Sequence, residues 1–184
     1  MSASFARQLL DRLAVSPVRL RALLTSLSES ALRSAPPVGG FAPIEAAWHL
    51  RDIEAEGHLL RIRRILAEER PILTSIDGER LARERRYLER DLGTALDEFA
   101  QYREASAGLL GPLIEGAWLR TAVFEDRLVS LRDLVTAMAE HDESHLQALT
   151  AQLGGARHSL DGEPCESPSV HKSAAPAAAP VSAR

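Results

Sequence analysis

The alternation of apolar and polar positions along the chain is helical almost throughout. Leu131, Leu134, Val135, Met138 and Leu149 recur at three- and four-residue steps within Ser130 to Leu149, the period of a helix with one buried face. Ser130 and Asp133 form a capping pair at its start, the hydroxyl as N-cap and the acid back on the Ser130 amide. Upstream, Ser4 to Ala14 opens a first helix through Phe5, Leu9, Leu10 and Leu13, and Leu20, Leu23, Leu24 and Leu27 carry it on. Ser16-Pro17 interrupts that pattern, so the first helix is either kinked or split in two. SAPPVGG over Ser34 to Gly40 is a breaker cluster and hence a loop, after which Phe41 staples the next element to the core. A second helix is predicted from Pro43 to Glu69, with Pro71 ending it.

Arg70 to Glu79, with Pro71 and Asp77-Gly78, reads as a connecting loop. A third helix is predicted from Glu79 to Leu110, with a heptad-like seam of Leu81, Leu88, Leu92, Ala95, Phe99, Tyr102, Ser106 and Leu109. Gly111-Pro112 closes it, and a crossover to Val129 with little helical order follows. Connections of that length are commonly functional, but Trp118 within it is equally able to plug the end of the bundle, which is the reading favoured here. Gly154-Gly155 is expected to stop the final helix. The predicted fold is all-α: a four-helix bundle with a long crossover before the last helix, spanning residues 1–153. The Ala/Pro/Ser-rich tail over 154–184 cannot offset its ordering entropy and is expected to be disordered.

Composition removes several classes of function. Of 184 residues, 45% are hydrophobic and 26% charged, which is globular composition with enough length to bury a core. The net charge of −4 is interspersed, and Arg51 to Arg90 alone holds ten basic and nine acidic residues. No basic stripe suited to phosphate backbones results, so no nucleic-acid partner is expected. No run approaches a membrane span and MSASFARQLL lacks the build of a signal peptide, so no membrane partner and a cytoplasmic location are expected. Cys165 is the one cysteine, which excludes an internal disulfide and a thiolate zinc knuckle.

The candidate chemistry lies in the histidines. His141 and His145 follow Met138 by three and seven residues, so both project from the apolar side of the final helix, about 40° apart around its axis. His49 shares a face of the second helix with Ile53, Glu56 and Leu60, and that face is expected to look inward. His58, nine residues on, is expected on the opposite side of that helix, and His158 and His171 fall in the tail. His49, His141 and His145 together form a candidate metal site that imidazole chemistry suits to Zn, Ni, Cu or Fe. Three protein ligands leave a position open for water or substrate. Asp142 stands where a zinc protease of the HExxH type carries its glutamate, so that reading loses its general base. Asp52 and Glu56, one and two turns beyond His49, either orient a ligand and accept a proton from bound water or are ordinary helix charges; the second reading is favoured. Gln147 is poorly angled for the metal and is read as a cap or dimer contact.

The pieces WHLRDIE around His49, RIRRILAEERP, LARERRYLERDLGTALDEF, a crossover tryptophan and SLRDLVTAMAEHDESHLQAL resemble the DinB-like (DinB/YfiT) family of four-helix metalloproteins over about residues 10–153. The most specific part is one histidine early in the second helix followed by HxxxH in the last. Phe41 stands in place of the family's usual tryptophan before the second helix, and the glycine often found ahead of the final helix is replaced around Arg127. The resemblance implies that His49, His141 and His145 bind a divalent transition metal (Zn, Ni or Fe). It also implies a metal-dependent enzyme acting on a small-molecule substrate, of the transferase or isomerase type that uses a low-molecular-weight thiol such as bacillithiol or mycothiol. Other members of the family have no established activity. The alternative is therefore a non-catalytic, metal-stabilised module that forms a homodimer through its helices.

Overall fold

A computed structural model describes residues 3–36 and 39–158. Four long helical stretches form the bundle: α1 (Ala3–Leu24); α3 (Pro43–Asp52), continued through a π-helical turn (Ile53–His58) into α4 (Leu59–Ala67); α6 (Leu92–Leu110); and α8 (Leu131–His158). Short helices α2 (Glu29–Leu32), α5 (Gly78–Glu84) and α7 (Glu115–Trp118) fill the connections. The principal contacts run α3 to α6, α1 to α6 and α1 to α8. The all-α four-helix bundle expected from periodicity is the architecture observed, with a small sheet added at one end.

Local chemistry explains where most elements begin. Ser130 Oγ accepts from the Asp133 N–H at 3.2 Å while Asp133 Oδ2 accepts from the Ser130 N–H at 3.1 Å, the reciprocal capping read from the sequence. Pro43 occupies the first turn of α3, and Glu45 accepts the Ala42 N–H at 2.9 Å. Helix α1 runs through Pro17 without splitting. Proline lacks the N–H that would bond the Leu13 carbonyl, and that carbonyl instead accepts from Arg103 Nη1 at 3.0 Å.

Three sequence expectations are corrected. The third helix is not continuous from Glu79: Arg86 takes a left-handed φ of 53° before a 3₁₀ turn (Tyr87–Glu89), and Asp91 starts α6 afresh by accepting from the Thr94 N–H at 2.7 Å. Leu88, expected in the seam, is consequently 41% exposed. The crossover is not structureless, because β2 (Thr121–Phe124) and β3 (Arg127–Ser130) form an antiparallel hairpin, and β1 (Ile72–Leu73) pairs parallel to β2. Its two-residue turn has positive φ at Glu125 (47°) and Asp126 (60°), the mirror-image turn that matches strand twist. Finally, α8 runs through Gly154-Gly155 to His158. Glycine weakens a helix by about 1 kcal/mol without forbidding it. The remainder of the tail, with Cys165 and His171, lies outside the described residues. Trp118 is 2% exposed and packs in the core, as a plug would.

The apolar core falls into two clusters. One gathers Leu20, Leu24, Trp48, Leu50, Phe99, Leu146 and Leu149; the other gathers Leu9, Leu13, Ile62, Leu110, Trp118, Leu131, Val135 and Met138. Each long helix changes cluster near its middle. At those crossings stand the buried polar residues Ser16, Glu54, Arg103, Ser106 and Asp142, so a polar layer cuts the bundle at the level where the histidines sit. Among the described residues no helix is long and apolar enough to cross a membrane.

Candidate metal centre

The structure brings together the three histidines that the sequence singled out. One ring nitrogen each of His49, His141 and His145 lie within 4.8 Å of one another. His49 Nε2 and His141 Nε2 are 3.1 Å apart, and the ring centroids of His49–His145 and His141–His145 are separated by 4.7 and 4.6 Å. Helix α3 supplies His49 from its buried face, and α8 supplies the pair one turn apart.

The donor set fits a divalent ion. At metal–nitrogen bonds near 2 Å, two imidazoles on a tetrahedral ion place their nitrogens about 3.4 Å apart, close to the His49–His141 separation. Electrostatics keep the lone pairs available. Burial, with His145 and His141 beside it, lowers His49 from 6.5 to about 3, and burial together with His141 lowers His145 to about 4. Neutral imidazole is the form that binds metal.

Phe41 lies over the group, with ring centroids 4.8 Å from His49 and 6.2 Å from His145. A cavity of about 670 Å³ on one side of it is lined by Glu45, His49, Ile76, Asp77, Glu79, Arg83 and His145. A more apolar cavity of about 440 Å³ on the other side also reaches His145, past Ala46, Ala148 and Leu149. His49 and His145 thus face concave space open to solvent, the usual build of a small-molecule site.

Gly78, at the start of α5, packs directly against His49. A Cβ there would lie 2.4 Å from His49 Cε1 and 2.6 Å from its Nδ1, so only glycine lets α5 close on the ring. Gly78→Ala is expected to turn His49 away from the other two rings and weaken metal binding at least tenfold, as read by competition with a chromophoric chelator. An unchanged affinity would show that His49 is not held by this contact.

The other residues weighed from the sequence take structural places. Asp52 is fully buried and accepts from Arg51 (2.7 Å), Arg85 (2.5 Å) and Tyr87 (2.5 Å), and Glu56 is bound by Arg85 at 2.6 Å. Both are helix charges in an ion-pair network centred on Arg51 and Arg85. Gln147 donates to Glu143 one turn away at 3.0 Å.

The π-helical turn overturns two sequence expectations at once. A turn with one extra residue rotates everything beyond it by about 100°. Glu56 and Leu60, expected inward with His49, are therefore exposed. His58, expected on the far side, swings in against His141, with ring centroids 5.7 Å apart. Sequence reasoning also missed Arg103, which is 2% exposed and joins Glu54 at 2.8 Å and Asp142 at 2.6 Å. An arginine one position off an apolar seam, facing carboxylates on two other helices, was the available signal.

A four-helix bundle with three converging imidazoles beneath an open cavity defines a class of helical protein with the makings of a metal site. The chain matches the model of the DinB superfamily over residues 12–149 and belongs to that family. Among solved structures it is similar to YfiT from Bacillus subtilis, a probable metal-dependent hydrolase with an unusual four-helix bundle topology. That likeness has a TM-score of 0.76 at 18% identity and covers 84% of this chain and 90% of YfiT. Among curated proteins no sequence matches.

Proposed function

We propose that this protein is a divalent-metal-dependent enzyme of the thiol-dependent transferase or isomerase type, with His49, His141 and His145 as the ligands. The observation that carries the reading is the convergence of three ring nitrogens within 4.8 Å beside a cavity of about 670 Å³, where a small molecule could reach an ion held by the three rings. Bound there, Zn, Ni or Fe would supply Lewis acidity that favours the thiolate of a low-molecular-weight thiol, or the hydroxide of water, at neutral pH. The burial of His49 keeps its ring neutral, and Phe41 packs against both His49 and His145 between the two cavities. The two cavities meeting at Phe41 and His145 offer separate places for a polar thiol and an apolar electrophile. In the transfer, a sulfur–carbon bond forms, the bond from that carbon to the leaving group breaks, the leaving group departs with its electron pair, and the thiol proton passes to solvent.

The test presents the metal-loaded protein with a chromogenic alkyl halide, with and without a panel of small thiols. Product formation that requires a thiol, with the S-conjugate as product, is expected. Equal turnover without thiol would replace the transferase reading by hydrolysis, the chemistry attributed to YfiT. No product from either nucleophile, with metal-dependent stability and a homodimer in solution, would favour the non-catalytic module.

A further inference from the structure

The three-histidine reading leaves one histidine of this region unused. His58 ends the π-helical turn, and without that turn its ring would face away from α8. As built, it meets His141 edge-on at an interplanar angle of 68°. Its Nε2 is buried without a hydrogen-bond partner, and so are His141 Nδ1 and Asp142 Oδ1, which lie 3.9 Å apart. A His58 Nε2 with no polar partner beside a His141–Asp142 contact longer than a hydrogen bond is a costly arrangement for folding alone, since buried polar atoms forgo their hydration. Irregular helix turns that persist in this way cluster at functional sites. An imidazole that binds a metal through Nε2 needs its Nδ1 side held, because that partner fixes both the tautomer and the ring plane. His141 Nε2 faces His49, so its Nδ1 is the atom left to be held.

We propose that His58 is a positioning residue for the metal centre, acting with Asp142 on the ring of His141 so that its Nε2 is presented to the ion shared with His49 and His145. The proposal rests on the three-histidine reading, and the experiment separates the two. Chelator-stripped full-length protein is titrated with Co²⁺, reading affinity and the visible absorption bands, for wild type, His58→Leu, His58→Gln and His141→Ala. The thermal midpoint of each metal-free form is measured alongside. His58→Leu is expected to bind Co²⁺ ten- to a hundredfold more weakly with altered bands, while its metal-free midpoint is unchanged or higher, because an apolar group replaces an unpartnered one. His58→Gln, which keeps a polar end, is expected to recover part of the affinity. Wild-type affinity and bands in His58→Leu would overturn the proposal, as would an affinity loss accompanied by a matching fall in the metal-free midpoint. In both cases His141→Ala still losing the metal leaves the three-histidine centre standing. Absence of Co²⁺ binding by the wild type would overturn both.

Discussion

Replacing Arg103 by leucine is expected to cost about 3–5 kcal/mol of folding stability, the range for breaking one partner out of a buried ion pair. Arg103 donates to Asp142 Oδ2 at 2.6 Å, Glu54 Oε2 at 2.8 Å and the Leu13 carbonyl at 3.0 Å. Ser106 completes the group by donating to Glu54 Oε1 at 2.5 Å. Leucine would leave two carboxylates and a proline-orphaned carbonyl in the middle of the bundle with no cation. Urea denaturation measures the loss, and adding Glu54→Gln and Asp142→Asn to the leucine variant is expected to restore part of it. By contrast, removing the exposed Arg33–Glu29 pair is worth well under 1 kcal/mol, because water screens it. A loss at Arg103 no larger than that would mean the polar layer does not hold the helices in register. Asp142 follows His141 on α8 and Glu54 lies beyond His49 on the α3 side, so the layer adjoins the histidine cluster.

The second large effect is the response of the metal-free protein to acid. His49 and His58 are lowered by burial to about 3 and His145 to about 4, all from an unfolded value near 6.5. Between those limits the unfolded chain binds protons that the folded chain refuses, so stability falls as pH drops through 6.5 and continues to fall toward pH 4. Each histidine contributes a slope of up to about 1.4 kcal/mol per pH unit, an appreciable part of the stability of a typical domain. Urea midpoints between pH 7.5 and 4.5 in chelator check this, and a flat profile would contradict the burial of neutral imidazoles. A divalent ion, needing the same neutral rings, should hold the midpoint up until protons displace it.

Helix periodicity carried the bundle a long way, and the histidine cluster was legible from periodicity and the family resemblance together. HxxxH on the capped face of α8 and His49 on α3 are local patterns, and local patterns survive folding when the helix is regular. They fail where regularity does. Nothing in the sequence around Ile53 to His58 announces an extra residue in the turn, and the turn's buried Glu54 is held by Arg103 and Ser106, contacts some fifty residues away. The hairpin escaped notice for a related reason: Glu125-Asp126 is not the asparagine–glycine pair that marks such turns, and its strands are stabilised by pairing with Ile72–Leu73 from a distant loop. Gly78 reads in sequence as a turn residue, and only the approach of α5 to His49 shows that its missing side chain is what counts.

The proposed function stands on whether His49, His141 and His145 hold one divalent ion. Bound metal measured by elemental analysis after equilibration with Zn²⁺ or Ni²⁺ at pH 7.5, for wild type and His141→Ala in parallel, tests it most directly. About one equivalent per chain is expected in the wild type, little in the variant, and a metal-dependent rise in thermal midpoint that the variant lacks. Equal, near-zero occupancy in both proteins would contradict it.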